Sequence, residues 1–411
     1  MTAHLRVSGN HRYLSFDDGT PFFYLGDTAW ELFHRLTLPE ARQYLANRAA
    51  KGFPAKPDEG YFRHVDAVVE TAAGLGLVMG ILPTWGSFWK QGQGRSPIFD
   101  TDNAFTYGRS LGRRYRDQPL IWILGGDHTV ESEAERAVID AMALGLREGD
   151  GGSHLITFHP RGPGQSSEAL HTAPWLDFNM IQSSHGARDH DNGLFVEQDL
   201  SLNPLKPTVD GEPRYETIPV GFYNADARQS DRLDDYDVRQ AAYWALLAGA
   251  CGHTYGNNNI WQMWAPGRKP LIGACTPWYE ALDHPGAFQM GYARRLFESR
   301  PYQTLLPSTT LVVDGPRDGG AKVRAACASD GAFAFVYTPR GAPITVRLDN
   351  IRAQRIAAAW FDPRYGIATP IHTGERVGFQ TFTPPTSGRG CDWVLVLDDP
   401  SRGFPPPGQR A

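Results

Sequence analysis

The segment Leu120-Ile-Trp-Ile-Leu-Gly-Gly-Asp127-His128 decides the predicted fold. Its apolar run has the length and composition of a buried strand, and two glycines carry the chain from that strand to an acid and an imidazole. Residues 132–146 then show the apolar periodicity of a helix. A buried strand that passes through a short polar loop into an amphipathic helix is the repeating unit of a parallel α/β fold.

The same alternation continues on both sides of this unit, from about residue 20 to residue 298. Strands are predicted at residues 22–26, 77–83, 120–125, 155–159, 178–183, 207–211 and 251–256. Helices are predicted at residues 38–49, 61–73, 103–116, 132–146, 236–249 and 277–299. The pattern therefore predicts an α/β fold of the (β/α)8 TIM barrel type, in which eight parallel strands close into a cylinder.

One strand of the eight is missing from this pattern, between Phe53 and Pro54. Gly52 suits the end of the preceding helix, but Pro54-Ala-Lys-Pro-Asp-Glu-Gly60 leads straight into the next one. A barrel without strand 2 would expose two unpaired sheet edges. We therefore expect about 15–30 residues, the usual size of one strand and its loop, to be absent there. The alternative is that residues 53–56 are themselves a shortened strand.

The residue pattern changes after residue 300, where short β-rich segments alternate with Gly, Asp and Pro turns. These segments are residues 310–313, 323–327, 332–337, 344–348, 356–361 and 393–397. They predict a small antiparallel β-sandwich. The predicted domains are thus a catalytic barrel at 1–300, an accessory β-sandwich at 301–400 and a tail at 401–411.

Composition narrows the class of protein further. The 411 residues are 41% hydrophobic and 21% charged, which is ordinary for a folded soluble protein, and the net charge of −5 gives no reason to expect nucleic acid or a membrane as partner. The four cysteines contain no C-x-x-C pair, so neither a disulfide scaffold nor a zinc knuckle is predicted. The polar start Met1-Thr-Ala-His-Leu-Arg6 lacks the apolar core of a secretion signal, and we expect a cytoplasmic location.

Two carboxylates follow predicted strands that lie across the barrel mouth from each other: Asp127 after strand 4 and Glu212 after strand 7. Catalytic groups in this fold sit at the carboxyl ends of the strands. Cleavage of a glycosidic bond needs two carboxyl groups, one protonated and one ionised. We therefore predict Asp127 and Glu212 as the catalytic pair. The structural alternative is that Asp127 caps the helix near Ser132 and that Glu212 pairs with Arg214.

Polar and aromatic side chains at the other strand ends are candidates for binding a sugar through ring stacking and hydrogen bonds to its hydroxyl groups. These candidates are Asp27, Trp30, Trp85, His128, His159, His185, Tyr215, Tyr255 and Trp261. Asp27 could instead cap the next helix, and the histidines could instead orient the two acids. The three histidines could also hold zinc, but their spacing is not a local metal motif, so no metal and no cofactor are predicted. A small-molecule glycoside or oligosaccharide is the expected partner.

At these positions the chain resembles the apiosidase-like glycoside hydrolases of family 140. The resemblance is carried by Phe23-Tyr-Leu-Gly-Asp-Thr-Ala-Trp30, Tyr61-Phe-Arg-His-Val-Asp66, Leu82-Pro-Thr-Trp-Gly86, Trp122-Ile-Leu-Gly-Gly-Asp127, Met180-Ile-Gln-Ser-Ser-His185 and Asp210-Gly-Glu-Pro-Arg-Tyr-Glu216. The C-terminal part resembles the β-sandwich of these proteins that is labelled collagen-binding, which we interpret as a support for the side of the barrel. The chain departs from the family at Phe53 and Pro54, where strand 2 and a long loop are expected.

The resemblance implies a TIM barrel with Asp127 as acid/base and Glu212 as nucleophile. It also implies release of a terminal β-linked apiose from plant apiosides or pectin side chains. The leading hypothesis is therefore a retaining exo-glycosidase that acts on a terminal furanoside. A metal-dependent hydrolase that uses the strand-end histidines and a non-catalytic carbohydrate-binding protein are the alternatives.

Overall fold

The structure is a computed structural model that describes residues 4–51, 62–92, 96–224, 228, 230–376 and 378–409. The predicted break between Phe53 and Pro54 lies outside the described residues.

The N-terminal part of the chain alternates strands and helices, as the sequence predicts. Its strands are β1 (Leu5–Val7), β2 (Leu14–Phe16), β3 (Pro21–Phe22), β4 (Tyr24–Asp27), β5 (Met79–Ile81), β6 (Leu120–Gly125), β7 (Ile156–His159), β8 (Gly164–Gln165), β9 (Asn179–Gln182), β10 (Thr208–Asp210), β11 (Tyr215–Glu216) and β12 (Gly252–Asn257). Its helices are α1 (Leu32–Arg35), α2 (Leu38–Lys51), α3 (Phe62–Gly74), α4 (Thr101–Tyr115), α5 (Glu133–Asp150), α6 (Ser167–Leu170), α7 (Gly193–Leu200), α8 (Asp235–Leu247), α9 (Trp278–Ala281) and α10 (Pro285–Glu298).

All seven predicted parallel strands are present as β4, β5, β6, β7, β9, β10 and β12. Parallel pairing joins β4, β12, β10 and β9 into one run, and β5, β6 and β7 into another. The two runs meet where β7 lies beside β9: the Thr157 hydroxyl donates to the Phe178 carbonyl over 2.7 Å. The strands therefore follow one another in the order β4–β12–β10–β9–β7–β6–β5. Among the described residues, β4 and β5 end this series and each pairs with a parallel strand on one side only.

Strand β6, which lies between β5 and β7, is buried at every position. Its continuous apolar run is typical of a parallel strand that is covered on both faces, and this is why the sequence identifies it clearly. One prediction in this part of the chain is wrong, because residues 277–299 do not form a single helix. The helix restarts at Pro285, which lacks an N–H group and so suits the first turn of α10. The antiparallel sheet β1–β2–β3 and helix α7 have no counterpart in the prediction.

The C-terminal part is built from antiparallel strands, as predicted. They are β13 (Leu305–Pro307), β14 (Val312–Asp314), β15 (Arg324–Ala328), β16 (Phe333–Thr338), β17 (Ile344–Arg347), β18 (Arg355–Asp362), β19 (Ile367–Glu375), β20 (Phe379–Phe382) and β21 (Trp393–Asp398). A six-stranded sheet, β13–β15–β16–β21–β18–β19, and a three-stranded sheet, β14–β17–β20, share one buried apolar core. All six predicted segments correspond to strands, whereas β13, β19 and β20 are additional.

The C-terminal sheets pack against α8, which is buried from Tyr236 to Leu247. At the centre of this contact the Arg239 guanidinium donates to both oxygens of Asp392, over 3.0 and 2.8 Å, and both side chains are almost completely buried. The rings of Tyr243 and Tyr337 stack beside this pair at 4.8 Å. The C-terminal sheets therefore cover one side of the parallel strands and their helices.

Replacement of Asp392 by Asn should destabilise the protein strongly, because it leaves the buried Arg239 charge without its bidentate partner. Breaking a buried pair by removing one member costs about 3–5 kcal/mol. Urea unfolding followed by circular dichroism measures the loss. The matched control is Asp330→Asn, since Asp330 and its partner Arg402 have half-exposed side chains (50% and 46%), and such pairs contribute less than about 1 kcal/mol. Equal losses in the two variants would contradict the role assigned to Asp392.

Candidate active site

Asp127 lies on an unusual turn that directly follows β6. Gly125, Gly126 and Asp127 have φ values of 95°, 88° and 59°, all in the left-handed region. A Cβ at Gly125 would lie 2.3 Å from the carbonyl oxygen of His159, so this position requires glycine. A left-handed aspartate is uncommon and strained, and such residues cluster at functional sites. The turn places the backbone N–H of Asp127 3.2 Å from Nδ1 of His159, to which it donates.

Glu212 lies just beyond β10, where the backbone N–H groups of Gly211 and Glu212 both point at the carbonyl oxygen of Ile181, at 2.8 and 3.3 Å. Its side chain is only 7% exposed. The hydroxyl of Tyr215 donates to Oε1 of Glu212 over 2.8 Å. Nε2 of His159 lies 2.8 Å from Oε2. Oε1 of this carboxylate therefore accepts a hydrogen bond, and Oε2 lies within ion-pair distance of an imidazole nitrogen.

His159 connects the segments that carry the two acids. Because Nδ1 accepts the N–H of Asp127, the ring proton of the neutral imidazole is on Nε2, the atom that faces Glu212. One buried ring thus fixes the backbone of one acid and the carboxylate of the other.

The surroundings move the pKa values of the two acids in opposite directions. Burial, together with the nearby charge of Glu212, raises the pKa of Asp127 above its usual value. Burial opposes ionisation of Glu212 as well, but the ring N–H of His159 that faces Oε2, with smaller contributions from His185 and Tyr215, holds the pKa of Glu212 below its usual value. Of the two acids, Asp127 is therefore the easier to protonate and Glu212 the easier to ionise.

Aromatic rings surround the two acids. Trp30 donates from Nε1 to the Tyr215 hydroxyl over 3.3 Å, and its ring meets those of His159 and Trp85 edge-on at 5.2 and 5.4 Å. His185 stacks on Tyr215 at 4.4 Å. The structure therefore brings seven of the predicted site residues into one cluster. They are Asp127, Glu212, Trp30, Trp85, His159, His185 and Tyr215.

Contacts with other protein groups define the positions of the remaining four candidates. Asp27 has a fully buried side chain that accepts from Arg48 over 2.5 Å and from the Tyr44 hydroxyl over 2.7 Å. The Tyr255 hydroxyl donates to Glu216, and Trp261 donates to Asn258. Nδ1 of His128 lies 3.1 Å from the carbonyl oxygen of Gly126, on the same turn as Asp127. Contact of these four residues with a substrate stays a prediction.

Sequence reasoning missed several residues that support the site. The side chain of Gln182, at the end of β9, acts to lower the pKa of Asp127, and its strand-end position is a signal that could have identified it. Tyr44 and Arg48 reach Asp27 from α2. Nothing in the local sequence indicates that contact, because it depends on how the helix packs.

A cavity of about 670 Å³ borders the cluster through Trp30, Trp85 and His159. It extends between β4 and β5, where Gly26 and Gly80 line it together with apolar side chains. The two carboxylates are not part of its lining and lie beyond His159 at its edge. The space is large enough for a sugar residue.

Metal binding and membrane insertion gain no support from the described ranges. Within them, no three His, Cys, Asp or Glu side chains form a group that could hold a metal ion. His159 and His185, two of the three histidines considered as zinc ligands, contact Glu212 and Tyr215 instead. Across the same described residues, no helix combines the length and the apolar character needed to cross a bilayer.

Comparison with solved structures identifies the class of protein. A solved structure of a protein described as "Glycoside hydrolase" superposes with a TM-score of 0.90 at 33% identity, and the match covers 97% of this chain and 98% of that one. A glycoside hydrolase family 5 structure from Bacteroides vulgatus gives a TM-score of 0.89 at 30% identity, with 99% and 96% covered. No curated protein matches the chain. The fold and the similarity together define a glycoside hydrolase.

The family follows from profile matches. "Apiosidase-like, catalytic domain" matches residues 8–55 and 54–304, and "Putative collagen-binding domain of a collagenase" matches residues 306–398. The chain belongs to the apiosidase-like glycoside hydrolases, which confirms the resemblance carried by the sequence motifs.

Replacement of Glu216 by Gln should weaken the pH dependence of stability. Glu216 lies beside Tyr215, and burial raises its pKa to about 7. This pKa exceeds the pKa of Glu216 in the unfolded chain. The contribution of Glu216 to the free energy of unfolding is therefore fully present below about pH 4.5 and is lost as the pH rises through about 7. Between pH 5 and pH 8 the variant should therefore gain on the order of 3 kcal/mol relative to the wild type.

Urea unfolding at the two pH values measures this difference. The exposed Glu70, changed to Gln, serves as the control and should show no such gain. Parallel pH dependences for Glu216→Gln and the wild type would show that Glu216 does not titrate near neutrality.

Proposed function

We propose that this glycoside hydrolase is a retaining exo-enzyme that releases a terminal β-linked furanoside, apiose, from plant apiosides or pectin side chains. The observation that carries the mechanism is the pair of acids with opposite pKa shifts, Asp127 and Glu212, joined by His159. The choice of apiose is supported by the family to which the chain belongs.

In the proposed first step, protonated Asp127 gives its proton to the leaving glycosidic oxygen while a carboxylate oxygen of Glu212 attacks the anomeric carbon. The bond to the leaving group breaks and a glycosyl ester with Glu212 forms. In the second step Asp127, now ionised, takes a proton from water as that water attacks the same carbon. This step frees the sugar with its original configuration and restores both acids.

The neighbouring side chains support these roles. Donation from Tyr215 and the closeness of His159 favour the ionised form of Glu212, as a nucleophile requires. Trp30 and Trp85 are partly exposed and line the adjoining cavity, where their rings can stack on a sugar.

The proposal takes the seven parallel strands as members of a (β/α)8 barrel. Their spatial order follows the chain from β5 to β12 and then returns to β4, as in a barrel that lacks its second strand. In that arrangement the ends of β6, β7 and β10 lie at one rim, which is where the cluster forms.

Incubation with apiosylated flavonoids and apiose-bearing pectin fragments should release free apiose, detected by chromatography and mass spectrometry. Glu212→Gln and Asp127→Asn should each lower kcat by about three orders of magnitude or more. Glu70→Gln, at an exposed carboxylate, should keep full activity. A loss of only tenfold in either site variant would refute its assigned role.

The stereochemistry of the reaction tests retention separately. NMR of the first-formed product should show the β-anomer. Azide should rescue Glu212→Ala with inverted configuration and Asp127→Ala with retained configuration, because it replaces the nucleophile in one variant and water in the other. A first-formed α-anomer would exclude the retaining mechanism, and release of a different sugar would exclude apiose.

Replacement of His159 by Phe should shift the acidic limb of the kcat/KM profile to higher pH. The change removes the group that most strongly lowers the pKa of Glu212, so ionisation of Glu212 requires a higher pH. Loss of positioning should also reduce kcat by about 100-fold. Tyr215→Phe removes a weaker contribution and should move the same limb by less. An acidic limb that stays in place in His159→Phe would contradict this role of His159.

A further inference from the structure

A second cleft, of about 680 Å³, lies between the N-terminal part of the chain and the C-terminal sheets. It is bordered by the beginnings of α8 and α10 and by the turn that connects β18 with β19. None of its lining residues borders the cavity beside the candidate active site. The two spaces are therefore separate.

Exposed aromatic side chains line this cleft. Tyr365 is 66% exposed and Phe288 is 41% exposed. The turn that carries Tyr365 is held close to α10, because Gly366 has a φ of 69° and a Cβ there would lie 2.9 Å from the ring of Tyr292. Large exposed rings that do little for the core, in a concave surface, are typical of binding sites. Carbohydrates use such rings for stacking.

The charges in the cleft disfavour an anionic ligand. Arg389 binds both oxygens of Asp234, over 2.7 and 2.9 Å. Arg364 binds both oxygens of Asp362, over 2.8 and 2.7 Å. Arg239 is held by Asp392 and Asp235. Each guanidinium is already neutralised by a carboxylate, so an anionic ligand would have to displace an acid, whereas carboxylate oxygens can still accept from sugar hydroxyls.

The cleft lies close behind the candidate active site in the fold. Glu216, the neighbour of Tyr215, accepts a long hydrogen bond from the backbone N–H of Gly286 over 3.4 Å. Gly286 lies in the first turn of α10, the same helix that presents Phe288 to the cleft. Helix α10 therefore connects the cleft with the segment that carries Tyr215.

We propose that this cleft is a second carbohydrate-binding site that takes a neutral oligosaccharide, stacked on Tyr365 and Phe288. The inference rests on the protein being a glycoside hydrolase and adds a site for a neutral part of a saccharide, separate from the bond that is cleaved. It does not require that the released sugar be apiose.

Isothermal titration calorimetry of the Glu212→Gln protein with arabinohexaose, xylohexaose and hexagalacturonate tests the proposal without hydrolysis. At least one neutral hexasaccharide should bind, and more tightly than hexagalacturonate. Adding Tyr365→Ala and Phe288→Ala should weaken that binding at least tenfold. Adding Phe379→Ala instead, at a 61% exposed ring on β20 outside the cleft, should leave it unchanged.

Three outcomes would each overturn the proposal. Neither neutral probe binds at millimolar concentration, hexagalacturonate binds more tightly than both, or the Tyr365 and Phe288 changes leave binding unaltered. With Glu212 intact, Tyr365→Ala should hydrolyse a small aryl glycoside at the wild-type rate. If the wild type does not hydrolyse the glycosides but the neutral hexasaccharide still binds, the result counts against the proposed function and not against this binding site.

Discussion

The imidazole of His159 is the contact on which the candidate active site depends, because it meets groups from two other strands at once. Parallel pairing places Gly125 of β6 opposite His159 of β7, so that Asp127, two residues further on, reaches the ring with its backbone N–H. On the other side of the ring, Glu212 follows β10. A register shift of one residue in either sheet would turn one of these groups to the opposite face. The hydrogen bonding of the parallel strands therefore fixes the chemistry at their ends.

The same contact explains why two buried carboxyl groups behave differently. Burial raises the pKa of both acids, and their mutual repulsion favours protonation of one of them. Donors decide which one: Glu212 faces His159 and Tyr215, whereas His159 turns an acceptor, Nδ1, toward the backbone of Asp127. The left-handed turn that brings Asp127 there is strained. We infer that the buried strands on either side hold the turn in this conformation.

Sequence alone predicted those features that depend on local pattern. The apolar run of β6 and the Gly125-Gly126-Asp127 turn can be recognised within nine residues of sequence. Burial on both faces requires continuous apolar residues, and the left-handed backbone favours glycine. Partners that come from distant elements leave no such pattern. Arg48 reaches Asp27 only because of the way α2 packs, and Tyr255 donates to Glu216 from a different strand. Strands β19 and β20 were not predicted because many of their positions are exposed and neither strand has a continuous apolar run.

The gap in the strand order bears on how a sugar would be enclosed. Among the described residues β4 and β5 do not pair with one another, and the family profile matches in two segments that meet at residues 54–55, in the connection between these strands. Within the described ranges, backbone pairing does not set the spacing of β4 and β5. Just beyond their ends, however, the edge-on contact between Trp30 and Trp85 spans the opening at 5.4 Å. Since Trp30 also donates to Tyr215, this contact ties the open side of the sheet to the residue that holds Glu212. The two indole rings thus link the wall of the cavity to the orientation of the carboxylate that we propose as nucleophile.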